Sequence, residues 1–239
     1  MINLTDRLLV MAKQIDIDET VADIGTDHGY IPIYLHQKNP YRKIIMTDIN
    51  KGPMEIATKH LLEYGIPIQT IDSRLGSGLT PLKNNECDCV IIAGMGGILI
   101  SDILSEDLKK SLSFPKFILQ PRNAQDKLRK WLLDNGFDIT NEFLVREGKF
   151  ICEVLITGPK QDGSNQESLQ GYDEIYYEIG KKLIENKDPL LKDFIRNKIR
   201  IENNIVDYVK NMQGERSQKQ LEKSKKRILR LQEVLQHET

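Results

Sequence analysis

The segment Val21 to Pro32 reads VADIGTDHGYIP and gathers two carboxylates, an imidazole, a phenol and two glycines. Apolar residues Val21 to Ile24 running into Gly25 and Gly29 describe a buried strand, a tight turn and a helix start. Open α/β sheets bind their ligands at this kind of position. A dinucleotide loop reads GxGxxG, and its second glycine lets the backbone approach a pyrophosphate at the helix N-terminus. Here Asp27 stands at that second glycine. A carboxylate repels pyrophosphate and attracts the sulfonium and ammonium groups of S-adenosylmethionine, so the loop favours that cofactor over NAD. The bland alternative is a structural turn in which Asp27 only caps the following helix.

Other residue clusters fall at the ends of further apolar runs. Asp48, with Ile49 beside it, closes a second strand, where an acid can accept hydrogen bonds from both ribose hydroxyls of an adenosyl group. Gly76, Ser77 and Gly78 follow a third run and read either as an adenine wall or as an ordinary turn. Ala93, Gly94, Met95, Gly96 and Gly97 close a fourth; so many glycines imply close backbone approach to a ligand or to neighbouring chain. After the fifth run come Gln120, Pro121, Arg122 and Asn123, whose amides can pair with a base edge while Arg122 holds a phosphate. Tyr30 is either a stacking platform for a base or a packed helix-start residue.

The elements that must position these groups alternate. Strand-like runs at Thr20–Ile24, Lys43–Thr47, Ile66–Ile71, Cys89–Ala93 and Lys116–Leu119 are separated by helical periodicity at Tyr30–Gln37, Pro53–Tyr64 and Ile98–Leu112. A helix over Thr5–Gln14 precedes them and one over Ala124–Asn135 follows, with Thr5 and Asn123 as N-caps. This pattern predicts βαβ crossovers and a largely parallel sheet with helices on both faces. Phe137–Val145 and Phe150–Thr157, joined by four residues, then predict an antiparallel hairpin, which separates the methyltransferase variant of the Rossmann sheet from the all-parallel form.

The chain has 239 residues and 39% hydrophobic composition, enough for one α/β domain plus a smaller appendage. The expected division is a Rossmann-like domain over 1–160, a polar linker over 161–171 and a helical domain over 172–239. No apolar run approaches membrane-spanning length, and the start MINLTDRLLVMAK has no signal-peptide pattern, so a cytoplasmic protein without membrane association is expected. Cys87, Cys89 and Cys152 fit neither a disulfide framework nor a CxxC site and read as packing residues, and the four scattered histidines imply no metal.

In the tail, Leu191, Phe194, Lys198, Ile201, Ile205, Tyr208 and Met212 alternate by three and four, as do Leu221, Ser224, Ile228, Leu231 and Leu235. With Gly214 between these short arms, an antiparallel coiled-coil hairpin within one chain, hence a monomer, is expected rather than a dimeric coiled coil. Residues 1–170 carry 19 Lys+Arg against 23 Asp+Glu, whereas residues 171–239 carry 15 against 12. Lys223, Lys226, Arg227 and Arg230 lie in the densest basic stretch, which suits either nucleic-acid phosphates or simple solvation.

Taken in order, DIGTDHGYIP, TDINKGP, LGSGL, IAGMGG and FILQPR, with the following helix around Trp131, resemble the TrmK family of bacterial tRNA (adenine-22-N1)-methyltransferases. The likeness covers essentially the whole chain. It implies a class I S-adenosylmethionine-dependent fold, methylation of N1 of a tRNA adenine, and RNA binding by the C-terminal helices. Carried over, cofactor contacts fall on Asp23, Gly25, Asp27, His28, Gly29, Asp48, Ile49, Gly76, Ser77, Ala93, Gly94 and Met95. Asp27 and His28 face the chemistry, and Tyr30, Gln120, Pro121 and Arg122 face the base. Two positions depart from the family pattern, with Ser77 in place of an aspartate and Arg122 in place of an asparagine. A methyltransferase for another RNA base, or a noncatalytic tRNA-binding protein keeping the fold, are the competing readings. N6-adenine enzymes carry [DN]PP[YF] after the fourth strand, where this chain has AGMGG.

Overall fold

A computed structural model describes residues 1–161 and 173–237. The chain divides into two compact units, Met1–Glu167 and Ser168–Thr239. Apart from Gln161, the expected linker lies outside the described residues.

The first unit is built on a seven-stranded sheet in the order β3-β2-β1-β4-β5-β7-β6. Its strands are β1 (Val21–Ile24), β2 (Ile44–Asp48), β3 (Asp72–Leu75), β4 (Cys89–Met95), β5 (Lys116–Pro121), β6 (Phe137–Glu147) and β7 (Phe150–Pro159). The first five are parallel, and β7 runs antiparallel to both β5 and β6. The hairpin therefore inserts its second strand against the parallel set, and β6 ends up parallel to β5.

Every residue of β1 and β2 is buried, because both faces of the sheet are covered there, which explains their apolar character up to Asp23, Thr47 and Asp48 near the strand ends. Alternation by two sorts their side chains. Val21, Ile44, Met46 and Ile91 join one core with α1 (Asp6–Ala12), α2 (Tyr30–Lys38) and α3 (Lys51–Glu63). Ala22, Ile45, Val90 and Ile92 join the other with α4 (Gly97–Glu106) and α6 (Gln125–Asp134).

Three expected elements differ. The third strand begins only at Asp72, because Pro67 starts a single 3-10 turn at Ile68–Thr70 and cannot donate to a ladder. The long helix over Ile98–Leu112 breaks at Asp107, whose carboxylate caps Lys110 N and starts the short α5 (Leu108–Ser111). Asn123 does not cap α6; Ala124 precedes that helix at φ 51°, and the Asn123 carbonyl accepts from Gly97 N instead.

Helix α6 is pinned to the hairpin by a buried charge cluster. The Arg129 guanidinium, 1% exposed, donates to Glu142 of β6 and Glu153 of β7, each at 2.6 Å. Sequence reading singled out none of these three residues.

The second unit contains α7 (Glu174–Ile179), α8 (Lys181–Glu185), α9 (Leu191–Val209) and α10 (Glu215–His237). Helices α9 and α10 pack along one another, and the short connection between them makes the pair antiparallel. The face α9 buries is rotated from the expected stripe: Leu191, Phe194, Ile195, Glu202 and Val209 are buried, while Ile201, Tyr208 and Met212 are exposed. The reason is electrostatic as well as apolar. Arg227 of α10, itself part-exposed, donates to Glu202 of α9 at 2.7 Å and to Glu178 of α7 at 2.6 and 2.7 Å, so the cation joins three helices and draws Glu202 into the seam.

Candidate active site

Strands β1 and β4 are neighbours although non-consecutive in sequence, so the loops after them leave the same edge of the sheet side by side. This is the topological switch point of an open α/β sheet. Gly25 (φ 69°) and Met95 meet there: a Cβ on Gly25 would stand 2.3 Å from Met95 Cε, so the flexible methionine tip would have to move aside, and the left-handed backbone would be strained whatever the space.

Asp23 and Asp48, at adjacent strand ends, are 6% and 7% exposed. The Thr26 hydroxyl donates to Asp23 at 2.7 Å, and the Asn50 amide donates to Asp48 at 2.9 Å. Burial pushes the Asp23 carboxyl up to about 6; the Thr26 bond opposes this and the Asp48 charge adds to it. Neither carboxylate has a cationic partner among the described residues. A buried anionic pair of this kind suits a ligand bringing a cation and hydroxyl donors, and S-adenosylmethionine fits that donor set.

The β1–α2 turn alternates in hand, with positive φ at Gly25, Asp27 (49°) and Gly29. This carries Asp27 and His28 outward: their side chains are 63% and 46% exposed and 3.3 Å apart. The rings of His28 and Tyr30 lie 5.2 Å apart in a stacked arrangement, and Tyr30, the first residue of α2, keeps 37% of its surface exposed. His60 of α3, which sequence reading missed, joins them, 5.4 Å from Tyr30. Ile49 is exposed beside Asp48.

The glycines of AGMGG divide their work. Gly94, at φ 74°, lies where the β4–β5 register shifts, and the bulge re-aims the strand end. Gly97 is a packing glycine, since a Cβ would fall 2.5 Å from the Ala124 carbonyl. Ala93 and Met95 are half-buried beside the bulge. Gly76 donates to the Asp48 carbonyl at 3.0 Å and leaves no room for a Cβ against Pro81, which joins the third loop to the second. Ser77 is exposed and its carbonyl closes a turn with Thr80.

Gln120 corrects an expectation. Its side chain is buried, and Oε1 accepts from Gly94 N at 3.1 Å and from the Arg7 guanidinium at 3.0 Å, while Nε2 donates to the Pro121 carbonyl. The amide thus holds the β4 bulge rather than facing a base, and Pro121 is buried with it. Arg7 also bonds Glu147 at 3.0 Å, which ties α1 and the hairpin to the same bulge. The link between residues 113 positions apart left no local signal. Gln120→Leu keeps the volume and removes the acceptor, and should lower the unfolding free energy by about 1–3 kcal/mol in urea titration; a wild-type midpoint would show that the bulge holds itself. Arg122 is exposed, and its backbone N donates to the Met95 carbonyl.

In the second unit, Lys223 and Lys226 are exposed. Arg227 is committed to Glu178 and Glu202, and Arg230 to Asp173 and Glu233. These two arginines, expected at phosphates, are paired with carboxylates of α7 and its N-cap, α9 and α10 itself while staying part-exposed.

A sheet of this order, with β7 reversed and paired acids at the ends of β1 and β2, is the Rossmann-like fold of class I S-adenosylmethionine-dependent methyltransferases. The model of the family described as TrmK, tRNA (adenine(22)-N(1))-methyltransferase, matches residues 21–233. The chain belongs to that family. The tRNA (adenine(22)-N(1))-methyltransferase of Bacillus subtilis (strain 168) is 33% identical over 155 residues, and the match spans 65% of this chain and 65% of that relative, just under two thirds of its length. The crystal structure of the B. subtilis m1A22 tRNA methyltransferase TrmK is similar with a TM-score of 0.84 at 26% identity, over 98% of this chain and all of that one (100%). That of M. capricolum TrmK in complex with S-adenosyl-homocysteine has a TM-score of 0.79 at 26% identity, over 99% of each chain.

Proposed function

We propose that this protein transfers a methyl group from S-adenosylmethionine to N1 of adenine 22 in tRNA. The observation that carries the reading is the pair of buried, cation-free carboxylates, Asp23 and Asp48, at the switch point of a sheet belonging to the TrmK family. In this reading Asp48 accepts from the ribose hydroxyls, with Ile49 against the adenine and Gly76 and Ser77 beyond it. Asp23 and the Gly25–Gly29 turn face the cofactor's charged end, and the Ala93–Met95 bulge closes the opposite side.

When bound, S-adenosylmethionine supplies an electrophilic methyl group on a sulfonium. N1 of neutral adenine carries an in-plane lone pair, so the chain's task is to present that edge in line and exclude alternatives, with no strong general base needed. Because N1 lies on the Watson–Crick edge, the base must be unpaired and turned outward. Tyr30 offers a stacking face, and Asp27 and His28 set the field where positive charge develops on the base. Arg122 is available to a neighbouring phosphate.

The test is incubation of unmodified tRNA with methyl-labelled S-adenosylmethionine, followed by nucleoside analysis and mapping. The expected product is 1-methyladenosine at position 22; label in any other nucleoside refutes the assignment.

The helical hairpin is proposed to bind tRNA through the exposed lysines of α10, including Lys223 and Lys226, and the protein to act as a cytoplasmic monomer. No helix among the described residues is long and apolar enough to cross a membrane. If both lysines contact phosphates, replacing them with alanine should reduce the slope of log K against log salt for tRNA by about 2 and leave cofactor affinity unchanged. An unaltered slope would place the RNA elsewhere.

A further inference from the structure

Resting on the methyltransferase reading above, we infer that His60 of α3 is a positioning residue for the acceptor base: it holds the turn that carries Tyr30 and completes the ring surface beside it. The β1–α2 turn requires such support. Asp27 sits at φ 49°, a conformation costing an L-residue about 1 kcal/mol, and its two glycine neighbours in the turn are left-handed as well. A turn of this kind persists in one shape only when surrounding groups fix it.

Helix α3 supplies two of those groups, one helical turn apart. Ala57 lies beneath Gly29, where an added Cβ would come within 3.1 Å of the Ala57 Cβ, so helix and turn are in close contact. Three residues later on the same face, His60 Nδ1 is 2.9 Å from the His28 carbonyl oxygen. A carbonyl can only accept, so Nδ1 carries the hydrogen and donates. This bond reaches the peptide that links His28 to Gly29, between Asp27 and Tyr30.

The His60 ring also lies 5.4 Å from Tyr30 at 15° between planes and 5.7 Å from His28 at 32°. Three rings, from the turn, the start of α2 and α3, therefore lie against one another, and the tilt of Tyr30 depends on the ring of His60 as well as on its own backbone. Because α3 begins just after Asp48, the same helix follows the ribose-facing strand end and supports the base-facing turn. The His60 bond holds the Tyr30 end of the turn, and no hydrogen bond or ion pair joins His60 to Asp23 or Asp48 among the described residues, so its loss should act far more on the acceptor side than on the cofactor, which the same turn also faces.

The test uses the full-length protein with His60→Ala, which removes donor and ring, and His60→Gln, which restores a donor alone. For alanine, kcat/KM for tRNA should fall about ten-fold, the size of one lost hydrogen bond, through a raised KM and a lowered kcat, with the Kd for S-adenosylmethionine in calorimetry changed by less than about two-fold. Glutamine should recover the larger part of the loss. His60→Phe, keeping a ring without a donor, should fall between them and keeps the question open to measurement if alanine fails to fold. Wild-type kcat/KM in the alanine and phenylalanine variants, or a cofactor Kd rising in step with the loss, overturns the role. If the unaltered protein methylates no adenine N1, the methyltransferase reading itself fails, which is distinguishable from an active protein indifferent to His60.

Discussion

Asp23→Asn is expected to stabilise the ligand-free protein and weaken its hold on S-adenosylmethionine at the same time. The Asp23 carboxyl is raised from its ordinary 3.8 to about 6, chiefly by burial. Between those two pH values the folded protein holds a proton that the unfolded chain has released. Ligand-free stability therefore declines as pH rises from 3.8 to 6, and above 6 it stays lower by about 3 kcal/mol. An asparagine never carries the charge, so at neutral pH the variant should resist urea better by roughly 1–3 kcal/mol. A cationic cofactor reverses the balance, because its charge favours the carboxylate. Its affinity for the natural protein should rise as pH passes through 6, while the asparagine variant should bind about 10- to 100-fold more weakly and without that pH dependence. Calorimetry at pH 5 and 7.5 checks both; equal affinity of the two proteins at pH 7.5 would remove Asp23 from the cofactor site.

Arg129→Ala should lower the unfolding free energy by about 3–5 kcal/mol, since it leaves Glu142 and Glu153 buried without the cation between them. All three side chains are at most 4% exposed, so the truncation leaves two carboxylates facing a buried cavity from which their cation has gone. Removing the whole cluster is a different perturbation. Replacement of Arg129, Glu142 and Glu153 together by apolar residues of similar volume should recover most of the stability, because the cost of desolvating the ions disappears with them. The single variant losing less than about 1 kcal/mol in urea would show that the cluster is hydrated or redundant. The consequence for function is indirect: β7 pairs with β5, whose end carries Gln120 and so the β4 bulge.

What could be read without coordinates was what depends on neighbours in the chain. The buried strands β1, β2, β4 and β5 are mostly apolar runs, the hairpin announces itself by two β-rich segments around Gly148, and Asp27 in place of a glycine marks the first loop. Periodicity was less secure where polar residues enter a core. Ser224 of the expected α10 stripe is buried, but on α9 the buried polar residue is Glu202, and the stripe counted by threes and fours ran instead through Ile201, Tyr208 and Met212, which face solvent.

Sequence by itself thus determined the sheet's class, the family, and the loops that carry Asp23, Asp48 and the glycines, because hydrophobic alternation and turn chemistry are local and the strand ends must follow from them. Tertiary structure alone decided which polar side chains are available. Gln120, Arg227 and Arg230 read as ligands for RNA until folding brought Arg7, Gly94, Glu178 and Asp173 within hydrogen-bonding reach, and His60 had no role until α3 packed against the β1–α2 turn. A hydrogen bond is decided at about 3 Å, between residues whose separation along the chain carries no trace of it.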